Sequence, residues 1–325
     1  MKRIHTMIAA ASIAAMLMSA PAFAAEKITV SVLPGPQAEI LASVTPALAD
    51  MGYDLEVVTA GDYIEPNMML SSGEADANYF QHIPYLYRFN EENGTELVNA
   101  GRIHYEPFGI YPGTKSSLEE ISDGDVIAVP NDAVNMARSL LLLRDNGIIS
   151  LDEEAGLSSA KKDITENPYN VKISPHDAAQ VFRMTGEAAY IVLDAKQAVK
   201  AGLSPASDAL ALETPDSAGA QAYAGLIAVR KGDENSEKIS ALVNVLLSEE
   251  TVSYINDTFD GAVLAFTADQ DSVPDIMGEY GSAWDDMAAD DEDGGDQDDD
   301  GTAGDDGAAG DDADGAGTSD EAKEE

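Results

Sequence analysis

The sequence has no cysteine, only four histidines, one tryptophan, and 18 Lys and Arg against 60 Asp and Glu. Each shortage excludes something. Without thiols there is no disulfide framework and no thiolate metal site, and four scattered histidines are a poor basis for zinc or copper. No metal and no cofactor is therefore expected. A net charge of −42 excludes nucleic acid as a partner, because phosphate contacts need clustered Lys and Arg. It fits a solvated acidic surface of the kind used in salty surroundings. A cysteine for lipid attachment is missing after the leader, so the expected protein is not lipid-anchored. Beyond that leader no apolar run approaches the roughly 20 residues of a spanning helix, so no stable membrane insertion is expected.

What is present begins with that leader. Lys2 and Arg3 precede an uncharged stretch from Met7 to Met18, and Ala22-Phe23-Ala24 supplies the small residues of a cleavage point. This is the pattern of a signal peptide over residues 1–24. An exported, unanchored protein is retained only inside an outer membrane, so the expected location is the periplasm. At the other end, residues 284–325 carry 19 acids against one lysine. Such a segment cannot bury enough apolar surface to offset its ordering entropy, and a disordered acidic tail is expected. Within it Asp296, Asp298, Asp300 and Gly301 imitate the first half of a calcium loop, but Gly307 stands where a bidentate acid belongs. A calcium-dependent surface interaction protein is thus an alternative, though an incomplete loop argues against it.

Between leader and tail, strand and helix patterns alternate. Lys27 to Leu33 is a β-branched run ended by Pro34-Gly35-Pro36. Leu41, Val44, Leu48 and Met51 then recur at helical spacing up to Gly52. Strands are expected at Tyr53–Val58, Asp125–Val129, Ala188–Leu193 and Ala222–Val229, and helices at Asn135–Leu143 and Ile239–Leu247. The alternation implies an α/β fold with parallel sheets and ligands at the strand ends. No internal repeat is visible. The expected organisation is two lobes about a cleft, residues 26–112 with 222–283 forming the first and 113–221 the second.

Four clusters place polar and aromatic residues at expected strand ends or helix starts: Asp62-Tyr63 with Pro66-Asn67; Asn78 to His82 with Pro84-Tyr85; Pro130-Asn131-Asp132, opening a helix with Asn135 and Arg138; and Asp194. Each alone has a plain structural explanation. Asn131-Asp132 can cap a helix, and Phe80 and Tyr85 can be core aromatics. A catalytic interpretation lacks a nucleophile paired with a base: there is no Cys, and His82 has no evident Ser partner. No enzyme is expected.

In order along the chain, these clusters resemble blocks of the methionine-binding lipoprotein family (NlpA or MetQ type). The carrying stretches are Asp62-Tyr-Ile-Glu-Pro-Asn67, Phe80-Gln-His-Ile-Pro-Tyr-Leu86, Pro130 through Arg138, and Asp163-Ile-Thr-Glu-Asn167. The resemblance implies a two-lobed periplasmic-binding-protein fold that closes over a small amino acid, methionine or a close relative, and delivers it to the membrane subunits of an ABC importer. Another amino acid or a short peptide is the alternative ligand. It also implies pocket roles for Tyr63, Phe80, His82, Asn131 and Arg138. Arg138 can grip a carboxylate bidentately, while Tyr85 and Asn135 lie close enough in sequence to join the slot. Two positions depart from the family: Asp194 and Gly225 stand where it places asparagines. Asp194 is expected to face the ligand ammonium, and Gly225 to leave space or a water site.

Overall fold

The computed structural model describes residues 25–270. The leader at residues 1–24, the acidic tail at 284–325 and the calcium-like fragment within it lie outside the described residues, as do residues 271–283.

Two sheets carry the molecule. The first contains β1 (Glu26–Val32), β2 (Tyr53–Thr59), β3 (Ala77–Tyr79), β4 (Leu97–Tyr105), β12 (Gly225–Arg230) and β13 (Leu264–Ala265), in the order β13-β4-β12-β3-β1-β2. The second contains β5 (Phe108–Pro112), β6 (Val126–Pro130), β9 (Lys172–His176), β10 (Tyr190–Asp194) and β11 (Ala211–Leu212), in the order β11-β5-β10-β6-β9. A small ribbon pairs β7 (Ser150–Leu151) with β8 (Ile164–Glu166). The helices are α1 (Pro36–Asp50), α2 (Glu65–Ser72), α3 (Ile83–Asn93), α4 (Ala133–Asp145), α5 (Ala178–Val181), α6 (Ala195–Lys200), α7 (Pro205–Asp208), α8 (Ala218–Ala222), α9 (Glu237–Leu246) and α10 (Glu249–Thr258).

Both sheets are mixed, not parallel throughout. β1 pairs parallel with β2 and β3, whereas β12 runs antiparallel to β3 and β4. In the second sheet β6 is parallel to β9 and β10, while β5 is antiparallel to β10. The central parallel members β1, β6 and β10 are largely buried because helices cover their faces, whereas the edge strands β2 and β9 are not. Ile28, Val30 and Val32 of β1, for example, are wholly buried against Ile40, Leu41, Val44 and Leu48 of α1. α1 also begins earlier than the pattern suggests. Pro36 lies in its first turn, where a missing N–H costs nothing, instead of breaking the chain.

The chain passes between the sheets twice. The first passage, from Tyr105 in β4 to Phe108 in β5, comes before residue 112, where the sequence placed it. β5 therefore belongs to the second sheet, and Glu106 sits in the connection. The return runs from Leu212 through α8 to Gly225. Both passages lie beside the ends of β3 and β6, and the functional site forms there.

Candidate functional site

A cavity of about 280 Å³ opens between the two sheets, lined by Gln37, Phe80, Gln81, His82, His104, Glu106, Val134, Asn135, Arg138, Tyr223 and Gly225. Its walls come from the carboxyl ends of β1, β3 and β6 and the helices that follow them, the usual ligand position in α/β sheets. Such a volume lies at the small end for ligand cavities, which run roughly 300–1,000 Å³.

Each wall is fixed by local chemistry. After β3 the chain turns at His82, whose Nδ1 accepts from the Tyr85 N–H at 3.3 Å and caps α3, with Pro84 in the first turn. Phe80 and His82 make edge contacts with Tyr85 at centroid distances of 5.7 and 6.5 Å, and His82 meets Tyr223 at 5.1 Å. Gln81 is held from beneath by a buried amide network. Its Nε2 donates to Asn67 Oδ1 at 2.7 Å and Asn78 Oδ1 at 2.8 Å, and Asn67 Nδ2 returns a bond to Gln81 Oε1 at 2.9 Å. Asn67→Ala leaves Gln81 Oε1 and one N–H each of Gln81 and Asn78 buried without a partner, and is expected to cost about 1–3 kcal/mol in urea denaturation. An unchanged midpoint would show that water replaces the network.

Arg138 forms the opposite wall, on the face of α4 that Asp132 caps through the Asn135 N–H at 2.8 Å. Its guanidinium already has a protein partner. Nη2 donates to Glu213 Oε2 at 2.5 Å and Nε to Glu213 Oε1 at 3.2 Å, while Nη2 also reaches the Glu106 carbonyl at 3.1 Å. The cation lies 4.3 Å from the Phe108 ring and 5.2 Å from that of Tyr223. Room for the pair comes from Gly219 in α8, where a Cβ would stand 2.3 Å from Glu213 Oε1. Nη1 has no hydrogen-bond partner among the described residues, and it is the group left for a ligand.

His104, which the sequence did not single out, forms the floor. It is 2% exposed, and its Nδ1 lies 2.5 Å from the Tyr79 hydroxyl. Burial pushes the Tyr79 phenol far up, so it stays an O–H donor and Nδ1 accepts. The neutral ring then carries its proton on Nε2, which can donate to the Gln37 side-chain amide 3.5 Å away only through that amide's oxygen, and which lies 4.0 Å from Glu106 Oε1, beyond hydrogen-bond reach. This ring also accounts for Gly225. A Cβ there would lie 2.1 Å from His104 Cε1 and 2.5 Å from Nδ1, so the expected space is filled by imidazole.

Burial lowers the pKa of both His82 and His104 to about 4, with the Arg138 guanidinium adding to the effect at His82. An unfolded chain takes up these protons near 6.5, whereas the folded one does so only near 4. The histidines' contribution to stability is therefore expected to be flat above about pH 6.5 and to fall as pH drops from there towards 4, by at most about 3 kcal/mol for His104. Denaturant midpoints across this window test it, and His104→Gln should reduce the slope.

The structure brings Phe80, His82, Asn135, Arg138 and Gly225 to the cavity and leaves four expected residues outside its lining. Tyr63 is 62% exposed and contributes its carbonyl to the Tyr85 hydroxyl at 2.8 Å. Tyr85 is thus turned away from the cavity, behind Phe80 and His82. Asn131 is exposed, because Asp132 and not Asn131 caps α4. Asp194 caps α6 instead of facing the cavity: its Oδ1 accepts from the Gln197 N–H at 2.7 Å. Burial raises the Asp194 pKa above its ordinary value, so the charged form is disfavoured in the fold and stability contributed here declines as pH rises past the carboxylate range. Asn is an equal cap, and Asp194→Asn is expected to leave neutral-pH stability unchanged or slightly higher, within about 0.5 kcal/mol. A melting-temperature comparison decides this. Nothing in the sequence pattern marks Glu213, His104 or Tyr223, which become site residues only through the sheet passages.

Two α/β sheets joined by two crossings, with a small polar and aromatic cavity at their strand ends, define a solute-binding protein. Comparison with known proteins makes this specific: the family model described as NlpA lipoprotein matches residues 28–267, and the chain belongs to that family of substrate-binding proteins. It is 40% identical over 245 residues to the methionine-binding lipoprotein MetQ of Bacillus subtilis, covering 74% of this chain and 88% of the relative. A solved structure from Ruminococcus gnavus is 58% identical with a TM-score of 0.54, covering 74% of this chain and all of that one. A nutrient binding protein from Burkholderia cenocepacia, solved bound to methionine, is 38% identical with a TM-score of 0.53, covering 73% and 99%. The fold is thus the two-lobed periplasmic-binding-protein fold. The names also overturn one expectation, that the protein is not lipid-anchored, since the family and its curated members are named as lipoproteins. That expectation rested on the missing cysteine after the leader.

Proposed function

We propose that this protein is the substrate-binding component of an ABC importer and that its ligand is methionine or a closely related small amino acid. The observation that carries this is the meeting of Arg138 with Phe80, His82 and Tyr223 in one cavity of about 280 Å³. A zwitterion taken out of water needs a partner for each charged end. Arg138 Nη1 supplies the one for the carboxylate, with Glu213 and the Phe108 ring fixing the guanidinium in place. The aromatic edges of Phe80, His82 and Tyr223 suit an apolar or thioether side chain. The methionine-bound Burkholderia relative and the MetQ relatives support the same ligand class.

The cavity is small for a peptide, which favours a single amino acid over that alternative. Binding rather than catalysis is favoured by His82, whose Nδ1 is engaged as a helix cap. The two lobes are assigned to the two sheets, with closure of the cleft signalling the loaded state to the membrane subunits. Native mass spectrometry of the purified protein, followed by calorimetry against a panel headed by L-methionine, tests the proposal. Binding of one small amino acid is expected. Binding of none, or a preference for short peptides, would overturn it.

A further inference from the structure

The cavity carries two formal charges in its lining, Arg138 and Glu106. They are not equivalent. Arg138 is already paired with Glu213, which is 4% exposed and touches both Nε and Nη2. Glu106 has no cationic ion-pair partner among the described residues except the imidazole of His104, 4.0 Å away, which is neutral at physiological pH. Its side chain is 46% exposed, and the charged groups close enough to act on it are Asp194, Arg138 and Lys196. Counting the buried Glu213 with the lining, the site holds one negative charge without a direct counter-charge. An anionic group alone would meet an unfavourable field there. A cation beside Glu106 would complete the balance.

The backbone of Glu106 is held in place at the edge of the cavity. It stands between β4 and β5 at the passage between sheets, its carbonyl accepts from Arg138 Nη2 at 3.1 Å, and His104 Nε2 lies 4.0 Å from its carboxylate. We infer that Glu106 is the receptor for the ligand's ammonium group, so that an amino acid lies with its carboxylate towards Arg138 and its amine towards Glu106. This rests on the amino-acid reading proposed above and assigns to Glu106 the role that the sequence suggested for Asp194. Asp194 is committed to capping α6 and does not line the cavity.

Calorimetry with two probes tests the assignment: L-methionine, and desamino-methionine, which has hydrogen in place of the ammonium group. Wild type should prefer methionine. Glu106→Gln keeps shape and backbone while removing the charge, and should weaken methionine about 10- to 100-fold with desamino-methionine little changed or improved. Glu106→Ala should behave alike. Equal weakening of both probes, or no weakening of methionine, would overturn the role of Glu106 while leaving amino-acid binding intact. If wild type binds another amino acid of the panel instead, that compound and its desamino analogue take the same two places. If wild type binds no amino acid at all, the functional proposal fails and this inference with it. A circular-dichroism melt of Glu106→Gln that matches wild type assigns any loss to the site and not to folding.

Discussion

Arg138→Ala is expected to abolish measurable amino-acid binding and to destabilise the fold at the same time, by separable amounts. Truncating one member of a buried, hydrogen-bonded charge pair costs about 2–5 kcal/mol of binding when the partner belongs to the ligand. Here the same cation also neutralises Glu213, which is 4% exposed and would be left as an uncompensated buried carboxylate. Breaking such a pair costs about 3–5 kcal/mol of stability. Removing both charges should behave differently from removing one. Arg138→Met combined with Glu213→Leu takes away the buried charge altogether and should recover most of the lost stability, yet no binding. Urea denaturation and calorimetry on the single and double variants read the two quantities independently. If Arg138→Ala retains wild-type affinity for its amino acid, the guanidinium is purely structural and the carboxylate is held elsewhere.

Gly225→Asn restores the residue that the family resemblance places there, and it is nevertheless expected to be strongly destabilising. The new Cβ would stand 2.1 Å from His104 Cε1, and the imidazole cannot swing aside without giving up its bond to the buried Tyr79 hydroxyl. Overpacking of this kind costs about 1–3 kcal/mol, and an unsatisfied buried Tyr79 hydroxyl adds about 1–3 kcal/mol more. Shrinking the ring should relieve the clash. The double variant Gly225→Asn, His104→Ala is expected to be more stable than the sum of the two single changes predicts, the sign of directly coupled positions. Strict additivity of the two changes in denaturation midpoints would show that positions 104 and 225 do not share one volume.

The same two residues show where inference from sequence stops. Gly225 was visible as a departure, but its meaning lay in His104, more than a hundred positions earlier and on the neighbouring strand β4. Without the strand pairing, a missing side chain reads as empty space. Asp194 failed for a related reason. An acid after an apolar strand is equally suited to a ligand or to a helix start, and the onset of α6 one residue later decided for the cap.

The chain alone determined its α/β character, because apolar runs of strand length interleaved with helical spacing admit little else. The resemblance of its blocks to a known family implied a shared pocket for Phe80, His82 and Arg138, and the fold brings these three, with Asn135, to one cavity. Only the tertiary structure decided which charges are already satisfied. Glu213 reaches Arg138 across 75 positions of sequence, and Glu106 enters the cavity because the chain changes sheets between Tyr105 and Phe108. Periodicity reports the face a residue presents to its own element. The partner waiting on that face is set by long-range packing, and the balance of charge in this site depends on those partners.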